Sequence, residues 1–378
     1  MSAEFFARLR REPDVEAPDL VAVDATDRLL LDEAAPALAG CGPGEVAVVE
    51  DGYGALTLGS VALHGATGVR VHQDRLVAER ALAGNAERTG QSGTYRSVPL
   101  DAGLARGARV VLAKAPTSLD ALREIAEVVA SSADPEVTLF VGGRVKHMTH
   151  AMNDVLRSSF GEVSATLARQ KSRVLVARGP RPATPSFPRC REHPDLGLTV
   201  CAHGAAFAGG KVDLGTRALL AELDGMAPEA RAAVDLGCGT GVLAVALARA
   251  RPGLDVLATD ESAAAVASTE ATLAANGLSP ALAAGRVTVQ RDDAAAGVPD
   301  ASVDLVVCNP PFHVGPAVVT AVADRLFAAA GRVLRPGGEL WCVWNSSLPH
   351  RGALRRLVGP TTTVGRGARF VVTRSVRG

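Results

Sequence analysis

The chain has 378 residues, beyond the roughly 250 to 300 at which a single hydrophobic core stops growing, so two domains are expected. Its 40 Lys and Arg balance 40 Asp and Glu, which excludes a globally supercharged nucleic-acid or membrane coat. A content of 47% hydrophobic and 21% charged residues excludes bulk disorder. The N-terminus reaches charge at Glu4, and no stretch approaches about 18 uninterrupted apolar residues, so neither a secretory signal nor a membrane span is expected. Cys41, Cys190, Cys201, Cys238, Cys308 and Cys342 form no CxxC pair and sit mostly in apolar runs, which predicts reduced, buried thiols and no disulfide framework. A cytoplasmic monomer with no membrane partner and no metal is the expectation.

In chain order, the first half reads VAVVEDGYGALTLGSVAL (46–63) and then GVRVHQDRLVAERALAGNAERTG (68–90). This is strand, glycine-containing turn, helix, strand, acid, helix. The second half repeats that order at nearly the same spacing, with AAVDLGCGTGVLAVALARA (232–250) and LDVLATDESAAAVASTEATLAANG (254–277). An internal duplication is the economical reading. On this alignment Gly237, Gly239 and Gly241 correspond to Gly52, Gly54 and Leu56, so the first copy carries a bulky side chain where a ligand needs close backbone approach. Residues 179–195 contain five prolines, which bar a helix or central strand and place the domain linker there. The domains expected are 1–185 and 196–378.

Beyond the linker, strands are expected at 232–236, 254–259, 286–290, 303–308 and 338–344, and helices near 214–223, 241–250, 262–275 and 317–334. Continuous Val, Leu and Ala runs alternating with amphipathic segments predict an α/β fold with a parallel sheet covered on both faces. Ligands of such sheets bind at the carboxyl ends of the strands.

Two constellations fall at such ends. Asp235-Leu-Gly-Cys-Gly-Thr-Gly241 follows an apolar strand, where glycines let a ligand approach the backbone and the helix amides behind it. The spacing is G-x-G-x-G, with Val242 where a dinucleotide fingerprint has its last glycine. Asp260 ends the next strand, where a carboxylate can accept both hydroxyls of a ribose. The second constellation, Asn309-Pro310-Pro311-Phe312, ends the strand 303–308. The Asn309 side-chain oxygen and the Pro310 carbonyl can each accept one N–H of a planar exocyclic amine, while the Phe312 ring stacks on its heterocycle.

G-x-G-x-G with a downstream acid and a later NPPF resembles the class I S-adenosylmethionine-dependent methyltransferases that act on amino nitrogens. NPPFH (309–313), the duplicated first half and the lead-in Phe207-Ala-Gly-Gly-Lys-Val-Asp213-Leu-Gly215-Thr-Arg217 more narrowly resemble the bacterial two-domain ribosomal RNA guanine-N2 methyltransferases. The resemblance is strong over 203–345, and before 190 it rests on 142–156 and 167–177. It implies two tandem Rossmann-like class I methyltransferase domains, the N-terminal one degenerate, with S-adenosylmethionine as cofactor. Asp235, Gly237, Gly239 and Gly241, with Cys238 between them, would line the methionine and ribose side, and Asp260 would hold the ribose. Asp293 would face the adenine amine, with its neighbour Asp292 open for the same role. Phe207, Asp213 and Thr216 would close the methionine end. Asn309 is counted among both cofactor-binding and catalytic residues, the latter with Pro310, Pro311 and Phe312. Lys114-Ala-Pro-Thr117 stands where NPPF stands in the second half, leaving the first copy without a second active site.

The implied partner is ribosomal RNA, free or in a ribosomal subunit, with the large-subunit type slightly favoured. Alternatives are methylation of another planar amine, in a protein glutamine or a DNA adenine, and an RNA-binding scaffold without catalysis. His147 and His150 lack the carboxylate or thiol that would complete a metal set. His313 has two open readings, base or phosphate contact against a structural role. Charge placement points to RNA as well: residues 325–378 hold ten arginines against Glu339, a local balance of +9. A second basic stretch in the first domain comprises Arg144, Lys146, Arg157, Arg169, Lys171, Arg173, Arg178 and Arg181 against Asp154 and Glu162, so that domain is expected to dock RNA.

Overall fold

Short runs of Val, Leu and Ala, too long to leave in water and too short for helices, form the central strands of both halves. The computed structural model of the protein describes residues 2–16, 20–278, 286–311 and 316–378. The chain divides into the units Met1–Phe187 and Pro188–Gly378. The first contains β1 (Val46–Val49), β2 (Val69–His72), β3 (Tyr95–Ser97), β4 (Val110–Lys114), β5 (Thr138–Arg144), β6 (Phe160–Ala165) and β7 (Ser172–Pro180). They lie in the order β3-β2-β1-β4-β5-β7-β6, with β7 antiparallel to both its neighbours and the other pairs parallel.

In the second unit β8 (Arg189–His193) and β9 (Leu198–Ala202) form a separate hairpin. The main sheet comprises β10 (Ala232–Leu236), β11 (Asp255–Asp260), β12 (Val287–Arg291), β13 (Val303–Cys308), β14 (Leu334–Asn345), β15 (Thr361–Arg366) and β16 (Phe370–Val376). Its order, β12-β11-β10-β13-β14-β16-β15, repeats that of the first unit strand for strand, again with the penultimate strand antiparallel. Each sheet is covered on both faces. Alternate residues of β1 enter opposite cores, Val46 and Val48 into one and Ala47 and Val49 into the other. In β10, Ala233 packs on one face and Val234 and Leu236 on the other. Fully burying each Val or Leu contributes about 1.5 to 3 kcal/mol against leaving it in water.

The strand order reverses between β10 and β13, and the same reversal occurs between β1 and β4, which opens a crevice at the carboxyl ends of those strands. Helix caps and strand pairing in the duplicated loops correct the glycine alignment drawn from the sequence. Gly54, with φ 91°, is the N-cap of the helix Ala55–His64, as Gly241, with φ 77°, is the N-cap of Val242–Ala250. Gly52 therefore matches Gly239, and Glu50, left-handed at φ 59°, matches Gly237 at φ 77°. The amides agree: Glu50 donates to the His72 carbonyl at 2.9 Å and Gly237 to that of Thr259 at 2.8 Å. Leu56 is not a loop residue but a fully buried helix residue of the core.

Two further expectations change. Cys190 and Cys201 stand directly opposite each other across β8 and β9 and are disulfide-bonded, because a hairpin register brings together cysteines eleven residues apart that no short motif pairs. Cys41, Cys238, Cys308 and Cys342 are free. The stretch 179–195 holds the end of β7 and all of β8, which fits between Pro188 and Pro194 because it pairs only in the hairpin. Among the described residues no helix is long and apolar enough to cross a membrane.

Candidate active site at the sheet reversal

β10 ends at Leu236 and the chain turns through Gly237, Gly239 and Gly241, all at positive φ, into the helix Val242–Ala250. A Cβ at Gly237 or Gly239 would meet nothing within 4 Å, so open space lies over both, as a ligand cradle requires. Gly241 is glycine for a different reason: its Cβ would meet the Thr269 methyl at 2.8 Å. The carboxylate of Asp260, at the end of β11, accepts from the Gly239 amide at 3.0 Å and from the Ser262 amide at 2.9 Å. It ties the glycine loop to the next strand end while remaining partly exposed.

Two residues expected to line the cofactor turn inward. Asp235 is 1% exposed, and its Oδ2 accepts from the Ala244 amide at 3.0 Å, so it holds the first turn of the helix behind the loop. Burial pushes its carboxyl up to about 7; the Ala244 amide opposes the shift and the charge of Asp260 adds to it. The Cys238 thiol is buried and accepts from the Thr269 hydroxyl at 3.3 Å. Burial, then the charges of Asp260 and Asp235, raise that thiol far above its ordinary value, so it is not a nucleophile. The cause in both cases is side-chain direction, which the loop geometry decides and the motif spacing does not.

Across the crevice β13 delivers Asn309. Its Nδ2 donates to Asp213 Oδ2 and to Thr216 Oγ1, each at 3.1 Å, and the Thr216 hydroxyl itself donates to Asp213 Oδ2 at 2.5 Å. Asp213 is the N-cap of the helix Leu214–Leu220 and accepts from the Gly215 amide at 2.7 Å. With two oxygens facing one end of the Asn309 amide, its NH2 must lie there and its carbonyl oxygen at the other end. That Oδ1 is buried and has no partner among the described residues. A buried amide oxygen without a donor costs about 1 to 3 kcal/mol, which an incoming N–H recovers.

Gly215 was missed as a site residue. A Cβ there would come within 3.2 Å of Asn309 Oδ1, so a side chain would crowd the amide and push it by a few tenths of an ångström. The signal was present in the sequence as Asp-x-Gly-Thr, but its meaning needs the distant Asn309 beside it.

Asp292 is 5% exposed and accepts from the Gly297 amide at 2.8 Å, whereas Asp293 pairs with Arg325 at 3.0 Å. Both follow the end of β12 on the same side as the glycine loop. Phe207 is 54% exposed in the turn after β9. Pro310 is buried and Pro311 exposed, while Phe312 and His313 lie outside the described residues.

The first unit builds the same corner from other residues. Asp24 is the N-cap of the helix Ala25–Leu38, and the Lys114 ammonium at the end of β4 donates to Asp24 at 3.1 Å and to Asp27 at 2.6 Å. Lys114, Asp24 and Asp27 thus take the places of Asn309, Asp213 and Thr216. Glu50 Oε1 accepts from the Asp74 amide at 2.9 Å, just past the end of the neighbouring strand β2, and Gln73 replaces Asp260 as the partner of the loop amide, at 2.8 Å from Gly52.

Comparison with known proteins gives concordant results. Residues 197–374 match the methyltransferase small domain and residues 2–181 the RLMG N-terminal domain. The chain is 38% identical to the ribosomal RNA large subunit methyltransferase G of Streptomyces coelicolor, over 98% of this chain and 97% of that one. It is 36% identical to the protein of that name from Pseudomonas aeruginosa, over 97% and 96%. Its fold is similar to that of the T. thermophilus 16S rRNA N2 G1207 methyltransferase (RsmC) in complex with AdoMet and guanosine, with TM-score 0.72 and 25% identity over 94% of this chain and 92% of that one.

Proposed function

The chain belongs to the ribosomal RNA large subunit methyltransferase G family, and from that premise we propose that it methylates the exocyclic N2 amine of a guanine in large-subunit ribosomal RNA, using S-adenosylmethionine. The observation that carries this reading is the Asn309 amide, clamped at its nitrogen by Asp213 and Thr216 and offering a buried, unpartnered oxygen. Such an oxygen selects a donor, and a planar amine is the donor whose reactivity it raises.

The open space over Gly237 and Gly239 and the partly exposed Asp260 carboxylate fit the amino-acid and ribose portions of S-adenosylmethionine. Asp293, or Asp292 beside it, would accept from the adenine amine. When bound, the cofactor supplies an electrophilic methyl group on a positively charged sulfur. The protein's own task is the nitrogen. The lone pair of a guanine N2 amine is delocalised into the ring, so the amine attacks poorly while flat. Asn309 Oδ1 and the Pro310 carbonyl accept hydrogen bonds from its two N–H groups, favour a pyramidal nitrogen and stabilise the positive charge that grows on it, which is discharged when one of those protons passes to solvent. Holding the amine in attack geometry supplies up to about 7 to 11 kcal/mol of the barrier reduction. Asp235 works through the loop rather than at the ligand, and no covalent enzyme intermediate is needed.

In the first unit a Glu50 side chain stands where the second has Gly237, and the Lys114 ammonium fills the place of Asn309, which supports reading this unit as binding neither cofactor nor target base. We assign it to RNA docking. Arg144 at the end of β5 is paired in register with Ser172, Gly143 with Arg173, and the Val145 amide donates to the Lys171 carbonyl at 2.9 Å. Arg144, Lys146, Lys171 and Arg173 therefore converge on one end of that sheet.

Labelled methyl transfer to unmodified large- and small-subunit ribosomal RNAs, naked and assembled, followed by mapping of the product, tests the reading. One N2-methylguanine in large-subunit RNA is expected. Label in small-subunit RNA, in DNA or in protein instead would refute it.

A further inference from the structure

Of the ten arginines in 325–378, most are engaged within the unit. Arg325, Arg332, Arg335, Arg356 and Arg374 pair with Asp293, Asp300, Asp304, Asp324 and Glu339. Arg377 donates to the carbonyls of Arg332 and Leu334, and Arg351 to that of Thr361. Arg355, Arg366 and Arg369 are exposed and have no side-chain partner among the described residues. The high local charge of the sequence thus reduces to three available cations.

Two of these three sit at one place, the turn between β15 and β16. Register fixes where that turn stands. Cys308 at the end of β13 is level with Cys342 of β14, and Cys342 with Thr373 of β16. Because β16 runs antiparallel, Arg369 lies four residues above that level, on the carboxyl side of the sheet, where Asn309 also lies. At about 3.3 Å per residue and 4.8 Å per strand, the turn rises roughly 10 Å above Asn309 and stands roughly 10 Å to its side. The Ser346 amide, just past β14, donates to the Arg369 carbonyl at 2.9 Å and holds the turn to the sheet edge. Arg366 remains in the ladder, paired with Val371. A raised, anchored turn with two free guanidiniums beside an amine-binding corner is placed to grip the strand that carries the amine.

We propose that Arg366 and Arg369 bind backbone phosphates of the RNA flanking the target guanine, holding the strand while its base enters the crevice. This rests on the RNA reading above and adds the contact that positions the substrate. Guanidinium and phosphate match in geometry and charge. Arg355 lies on the helix His350–Leu357, which leads from β14 back to the opposite end of β15, and is left out of the contact.

The test uses the full-length protein and an unmodified large-subunit RNA transcript. The Arg366→Ala/Arg369→Ala double variant is compared with Arg356→Ala, which removes a paired arginine of the same unit. RNA Kd and its salt dependence are measured directly, beside KM for RNA and Kd for S-adenosylmethionine. For the double variant, RNA Kd and KM are expected to rise about tenfold or more, and the slope of log affinity against log salt to become shallower by about 1 to 2. Cofactor Kd should stay within twofold, and Arg356→Ala should match wild type. Unchanged RNA Kd and slope, an equal loss in Arg356→Ala, or a loss confined to cofactor binding would each overturn the proposal. Wild-type protein that binds RNA without methylating it would refute the proposed reaction, while the phosphate contact would still be decided by the Kd values.

Discussion

At the carboxyl end of β1 the first unit places Glu50, and at the equivalent end of β10 the second unit places Gly237; both backbones are left-handed, at φ 59° and 77°. The strand order around them is the same and so is the amide that follows each strand. The second unit has open space over its glycine, whereas the first has there a side chain whose carboxylate accepts from the Asp74 amide. At the neighbouring strand, Asn309 offers an oxygen and Lys114 an ammonium already held by two carboxylates. The duplicated scaffold tolerates either filling, because these residues lie outside the buried layers that stabilise it. The two crevices differ in the chemistry of about four positions at the sheet end.

The sharpest way to break this comparison is to move the filling across. Gly237→Glu gives the second unit the residue the first already accommodates in that backbone conformation. The left-handed strain costs about 1 to 2 kcal/mol, so the protein should remain folded. Affinity for S-adenosylmethionine should fall at least a hundredfold by calorimetry. Cofactor binding within fivefold of wild type would mean that the space over Gly237 is not the cofactor's seat.

A second contrast concerns the carboxylates behind the loops. Asp51 and Asp235 both cap the first turn of the following helix, the former from the loop and the latter from the strand, and burial raises both. For Asp235, raised to about 7, the folded state binds a proton more tightly than the unfolded one. Its contribution is full below about pH 4 and is lost as pH rises through about 7, an effect on the order of 4 kcal/mol. Asp235→Asn should flatten stability against pH over that window, read from urea midpoints. A wild-type stability that rises steadily from pH 4 to 7, with Asn unchanged, would contradict the assignment.

The smallest expected effect separates docking from chemistry. Lys146→Glu/Lys171→Glu in the first unit should weaken RNA affinity about three- to tenfold and leave S-adenosylmethionine Kd unaltered. RNA affinity equal to wild type would remove the docking role from that sheet end.

Much of the second unit was legible in its sequence. The strands ending at Leu236, Asp260 and Cys308 are buried apolar runs with glycine, acid or proline after them, and Asn309 and Asp260 stand at their tips as the spacing implied. The glycine register of the first unit was misread because glycine count suggests one alignment and helix capping enforces another: the cap is Gly54, so the lost glycine is at Glu50 and not Leu56. Asp235 and Cys238 share the motif with ligand-facing glycines but point inward, which depends on packing against the helices Val242–Ala250 and Ala263–Ala275. The Cys190–Cys201 bond and the β15–β16 turn depend on strand pairing. A run of ten arginines reads as one basic surface until the structure pairs most of them internally.

The central claim is that the Asn309 oxygen receives the reacting amine. It is tested most directly by single-turnover methyl transfer with Asn309→Ala, alongside its equilibrium affinity for S-adenosylmethionine. The account predicts a rate loss of about 100- to 1,000-fold, on the order of 3 to 4 kcal/mol, with cofactor affinity nearly retained. Transfer within tenfold of wild type would contradict it.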